Sequence, residues 1–205
     1  YEIRLSLVGS EMCIRDSGGS LVGGEFPRGI GVQIEPGSSV LLNVHYSIAD
    51  DASADVTAVD FQLDDAARPA SSIVLANPAW IVGRSMEIPA RSTDTPYFWK
   101  FHPRLFTGGR AVALEGVTPH LHTYARAVRV LVLRADGSSE CLVDIGSWQF
   151  GWEQPYWFAE PVRFEPQDEL YIECRFRNPT DEAIAWGDDG QDMCAAFVSF
   201  TELAP

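Results

Sequence analysis

Apolar residues along this chain recur at alternate positions in short runs, and each run ends near Gly, Pro, Asp or Asn. Such alternation puts one row of side chains on a buried face and the other toward solvent, which predicts β-strands. Leu170-Tyr171-Ile172-Glu173-Cys174-Arg175-Phe176 is the clearest case. Ala127-Val128-Arg129-Val130-Leu131-Val132-Leu133 is another, and it stops at the hairpin signal Ala135-Asp136-Gly137-Ser138. Further strands are predicted over 40–46, 56–63, 72–75, 86–88, 97–101, 110–114, 141–145, 156–158, 162–164 and 195–200. No window carries an amphipathic helix of useful length. Many short strands separated by turns predict an all-β fold, an antiparallel sandwich of jelly-roll type.

Composition narrows the picture. The chain has 205 residues, 46% hydrophobic and 21% charged, enough for one large β core. A net charge of −14 argues against nucleic acid and anionic membranes as partners. No apolar run is long enough for a membrane span, and no signal-peptide pattern is visible. Ser6-Leu7-Val8-Gly9-Ser10-Glu11-Met12-Cys13-Ile14-Arg15-Asp16-Ser17 resembles the in-frame translation of a transposase adapter used in DNA library preparation. Residues 1–17 are therefore expected to be a sequencing artefact, joined to a truncated gene whose own residues begin near Gly18. Ala49-Asp50-Asp51-Ala52-Ser53-Ala54-Asp55 is small and acidic and reads as a linker. It divides residues 18–50, too few to bury a core and expected to be the remnant of a preceding β domain, from a main domain over 56–205.

The candidate chemistry lies in Val117-Thr118-Pro119-His120-Leu121-His122-Thr123. In a strand, residues i and i+2 share a face, so His120 and His122 can aim two imidazoles at one point. Pro119 marks a strand start or edge, where a site can open. Met193 follows the acidic loop Gly187-Asp188-Asp189-Gly190-Gln191-Asp192 and opens the last strand. A thioether joined to two imidazoles makes a soft, neutral site suited to copper. The bland alternatives are two core or surface histidines and a packing methionine.

Other residues were weighed in the same way. His45 is either a ligand of a second metal or a buried strand histidine; His102 has no evident partner and reads as structural or solvent-facing. Asp188, Asp189 and Asp192 lack the spacing of a calcium loop and read as a solvated turn. Trp148, Phe150, Trp152, Tyr156, Trp157 and Phe158 read first as sandwich core, with a substrate pocket as the alternative. A Cys174–Cys194 disulfide would tie neighbouring strands, hold Met193 and imply an oxidising compartment. The alternative is three reduced cysteines in a cytosolic protein. With the disulfide in place, Cys141 is expected to be a buried thiol.

Together these segments resemble the copper type II, ascorbate-dependent monooxygenases, the family of peptidylglycine α-hydroxylating monooxygenase and dopamine β-monooxygenase, and among them the bacterial relatives. The similarity runs from about Gly24 to Glu202. Phe26-Pro27-Arg28-Gly29-Ile30-Gly31 and Leu41-Leu42-Asn43-Val44-His45-Tyr46 resemble the end of the family's first domain, which makes His45 a ligand of the electron-donating copper. Thr118-Pro119-His120-Leu121-His122 resembles the motif that supplies two ligands of the oxygen-activating copper. Trp148-Gln149-Phe150-Gly151-Trp152-Glu153-Gln154 resembles an aromatic block after it. Asp192-Met193-Cys194 resembles the motif that gives the thioether ligand and an adjacent disulfide cysteine.

The resemblance implies two linked jelly-roll domains with one copper each. It implies hydroxylation of a substrate C–H bond with O2 and electrons from ascorbate or a similar reductant, in a secreted or periplasmic protein. The oxygen-activating site (His120, His122, Met193) is complete in this sequence. The donor site is not, because the family's His-His pair is absent; the missing N-terminal half of the same protein is the expected partner, with a small-molecule substrate and O2. Thr118 stands where the peptide-processing enzymes have an arginine, and Ala195 and Phe197 stand for their asparagine and tyrosine. A peptide-carboxylate clamp is thus not expected, and a less polar substrate is. Asn43 replaces a glutamine associated with electron transfer. Two other functions remain open: a non-catalytic metal-binding β-sandwich module, and a cupin-type oxygenase. Against the cupin, Thr123-Tyr124-Ala125-Arg126 follows the pair and no histidine lies downstream of His122.

Overall fold

Alternating burial builds the strands as the pattern requires. On the strand Glu169–Phe176, Leu170, Ile172, Cys174 and Phe176 are all fully buried, while the residues between them are partly exposed. Each such apolar side chain contributes about 1.5–3 kcal/mol on burial. The computed structural model describes residues 6–8, 26–39, 58–83, 85–150, 153–187 and 190–203. In chain order the strands are β1 (Ser6–Val8), β2 (Ile30–Val32), β3 (Ala58–Asp60), β4 (Arg68–Leu75), β5 (Glu87–Ile88), β6 (Thr95–Phe101) and β7 (Val112–His120). Then come β8 (Ala125–Leu133), β9 (Ser139–Ile145), β10 (Tyr156–Phe164), β11 (Glu169–Phe176), β12 (Ile184–Ala185) and β13 (Ala195–Glu202). Two short helices, α1 (Pro78–Gly83) and α2 (Arg104–Thr107), connect strands.

The fold is all-β and sandwich-like. One sheet has the order β10-β7-β13-β4-β2 and the other β6-β11-β8-β9; β1–β3 and β12–β5 form separate pairs. One apolar cluster draws on both large sheets, with Ile73, Leu114, Val117 and Val198 from the first and Val128, Val130, Ile172 and Phe176 from the second. Cys174 and Cys194 form a disulfide, with an S–S distance of 2.03 Å. It joins the strand β11 to the chain just before β13, so it links the two sheets rather than neighbouring strands of one.

Several expectations change. Among the described strands the pairing is antiparallel except between β2 and β4, which run parallel, with Ile30 opposite Arg68. Neither β2 nor β12 stands out in the sequence, because two or three residues are too few to show a period. The segments 156–158 and 162–164 are one strand, β10, whose register against β7 shifts between Trp157 and Val162. Ser6–Val8, in a stretch without a strand period, pairs with Ala58–Asp60. Cys141 is exposed, not buried. The register of β8 against β9 shifts between Val130 and Leu131, and this irregularity sends both Leu142 and Val143 inward. The extra inward residue puts Cys141 on the solvent side.

The predicted strand over 40–46, the linker at 49–55 and Cys13 lie outside the described residues. Among the described residues no helix is long and apolar enough to cross a membrane.

Candidate metal centre

Strand β7 ends at His120, and the alternation of burial continues two residues beyond it, which leaves both histidines on the partly exposed side. Val117 and Leu121 point into the core and are fully buried, so His120 and His122 point away from it and are partly exposed. Their rings lie edge to face with centroids 5.3 Å apart. Two imidazoles can share a metal across such a gap when metal–nitrogen bonds are about 2.0 Å. Strand β10 pairs with β7 only as far as Val117, so Pro119 sits where β7 has one neighbour and needs no second ladder bond.

Register brings the Met193 backbone opposite His122. Strands β7 and β13 set His120 opposite Ala195, and cross-strand partners share a face. Carried two residues further, that register sets His122 opposite Met193. The ladder itself ends at His120, and a buried carboxylate takes over. Asp192 Oδ1 accepts the backbone N–H of His122 at 2.8 Å and that of Met193 at 2.8 Å. The two backbones are thus within two hydrogen-bond lengths of each other. Asp192 Oδ2 accepts the N–H of Tyr124 at 2.7 Å and of Ala125 at 3.2 Å. Asp192 is completely buried, which corrects its reading as part of a solvated turn. Burial pushes its carboxyl above the usual range, against the opposing pull of the N–H groups and of His122. Asp188 and Asp189 are outside the described residues. Met193 is half-buried and packs against the edge of the core, and the adjoining Cys194 is anchored by the disulfide.

The imidazoles are held from behind. His122 Nδ1 lies 3.0 Å from the carbonyl oxygen of Gln191. A carbonyl only accepts, so this nitrogen carries the proton, and a neutral His122 has its lone pair on Nε2. His120 Nδ1 lies 2.6 Å from Glu153 Oε1. Trp148 Nε1–H donates to the carbonyl of His122 at 3.2 Å and is itself buried. Among the described residues no three His, Cys, Asp or Glu side chains converge as a metal-holding group. The pair, oriented through Nδ1 and soft-ligand compatible at Met193, fits copper by its donor chemistry. The glutamate near the pair does not restore a cupin-type set, since it contacts the ring at Nδ1 rather than standing beside the other ring nitrogen.

The aromatic block divides. Trp148, Tyr156 and Phe158 belong to the core or its edge. Phe150 stands edge-on to His122 with centroids 5.6 Å apart, and Trp157 packs on Phe26 at 5.4 Å. Trp152 is outside the described residues. Phe197 lies 6.2 Å from the His120 ring and is 40% exposed, with exposed Val74 as its cross-strand partner. An apolar surface thus adjoins the histidines. His102 is remote in role: it is half-exposed and its Nδ1 lies 3.0 Å from the carbonyl oxygen of Asp168. His45, the candidate donor-site ligand, falls outside the described residues.

Two residues of this site escaped the sequence reading. Glu153 lies 33 positions from its partner His120, beyond any local pattern. Asp192 was masked by the acidic loop around it, though a lone Asp directly before Met-Cys at a strand head was a signal for a backbone clip. The chain matches no protein-family model, and no curated protein matches it significantly.

Proposed function

We propose that this chain is part of a copper-dependent monooxygenase of the ascorbate-dependent type, with His120, His122 and Met193 holding the hydroxylating copper. The observation that carries this reading is the joint placement: two imidazoles with ring centroids 5.3 Å apart, and the Met193 backbone clipped to that of His122 by one carboxylate oxygen. Copper bound there would supply activation of O2 for insertion into a substrate C–H bond. The chain's own residues fix the donors. Gln191 holds His122 through Nδ1, Asp192 sets the spacing of the two ligand segments, and the disulfide secures the Met193 side of the site. Phe197 and Val74 provide a water-poor surface for a less polar substrate beside His120. His45 belongs to a second, electron-donating copper whose other ligands this sequence does not contain. The finer fold is a jelly-roll copper domain over 56–205, and the disulfide fits a secreted or periplasmic setting.

Metal analysis with X-ray absorption of the purified chain tests this. One copper per chain with a sulfur scatterer in the Cu(I) form is expected, with the sulfur lost and the fold kept in Met193→Ile. A folded chain that takes up no copper overturns the proposal and leaves the metal-free β-sandwich module in its place.

A further inference from the structure

Glu153 is the least expected group at this end of the molecule. It is 8% exposed, and among the described residues its side chain bonds to His120 alone. Among the described residues no Arg or Lys pairs with it; its ion-pair partner is again His120. Taking a carboxylate out of water is unfavourable unless a partner compensates it. Packing does not explain this residue, since Gln or Leu would fill the same space without that cost. The contact is also directional, because at 2.6 Å the imidazole N–H donates into the carboxylate.

The two histidines are therefore held unequally. His122 gives its Nδ1 proton to a neutral carbonyl, and His120 gives its own to a charged carboxylate. A carboxylate behind an imidazole fixes the tautomer and makes the other nitrogen a better donor.

We infer that Glu153 is a positioning residue that locks His120 as the Nδ1–H tautomer and makes it the stronger of the two imidazole ligands. This rests on the copper reading for its metal part and stands apart from it for the tautomer. Glu153 touches neither metal nor substrate in this role; it acts through the ring.

Two variants and two readouts test it. In the 15N-labelled, metal-free protein, long-range proton–nitrogen spectra of the neutral rings should show His120 protonated at Nδ1. Glu153→Ala should move His120 toward the Nε2–H form and weaken Cu(I) binding roughly 10- to 100-fold in competition titrations. Glu153→Gln keeps an acceptor oxygen, so it should keep the tautomer and recover part of the affinity. A wild-type His120 protonated at Nε2 overturns the inference, as does a folded Glu153→Ala with unchanged tautomer and affinity. If the wild type binds no copper, the oxygenase reading falls, and the spectra alone decide the role of Glu153.

Discussion

The two ends of β8 are each held by a buried aspartate, and they are held differently. At the C-terminal end Asp168 faces a cation: Arg134 reaches its Oδ2 at 2.6 Å and also pairs with Glu140. At the N-terminal end the hydrogen bonds of Asp192 among the described residues come from four backbone N–H groups, those of His122, Tyr124, Ala125 and Met193, with the His122 ring as a further electrostatic influence. The first arrangement matches charge with charge and closes a hairpin. The second gives up that match to fix the positions of two chain segments. The contrast shows which end is built for placement, and that end carries the two histidines.

Removing each carboxylate separates these roles. Asp192→Ala takes the acceptor from four backbone N–H groups, one buried and three part-buried, and the expected loss is about 3–5 kcal/mol together with copper binding. Asp168→Ala removes one of the two carboxylates on Arg134, which keeps Glu140, and takes the acceptor from the Glu165 N–H; it should cost about 2–3 kcal/mol while copper binding persists. Chemical denaturation and metal titration on both variants check this; equal copper loss from the two would erase the distinction. The tether is of similar size. Replacing Cys174 and Cys194 by serine together releases a 20-residue separation and should cost about 3 kcal/mol, read as a lower melting temperature. The smallest effect lies midway along β7. A Cβ at Gly116 would meet the Trp157 ring at 2.5 Å and the Tyr156 carbonyl at 2.8 Å. Gly116→Ala should cost about 1–3 kcal/mol by overpacking, without moving the histidines.

The strands with strict alternation were legible in the sequence, as β11 and β8 demonstrate, because burial on one face imposes a period of two. The common, partly exposed side of His120 and His122 followed from the same period. Exposure of Cys141 was not legible, since one irregularity between β8 and β9 inverts the alternation, and no residue type announces it. The parallel pairing of β2 with β4 was hidden by the brevity of β2. The burial of Asp192 and its partners near position 122, and the reach of Glu153 to His120, depend on contacts between distant segments. A pattern read along one segment carries no information about them. The pairing of Cys174 with Cys194 was open on the residues alone and was favoured by the family likeness, and the structure forms it.

The disulfide sits one residue from Met193 and is fully buried at both cysteines. Thiolates open such bonds by direct attack on sulfur. Dithiothreitol in a purification buffer would therefore work against the very site it was meant to keep reduced, once thermal opening exposed that bond. Ascorbate, which does not cleave disulfides, leaves the crosslink intact, and preparations handled the two ways should differ in how firmly they retain metal.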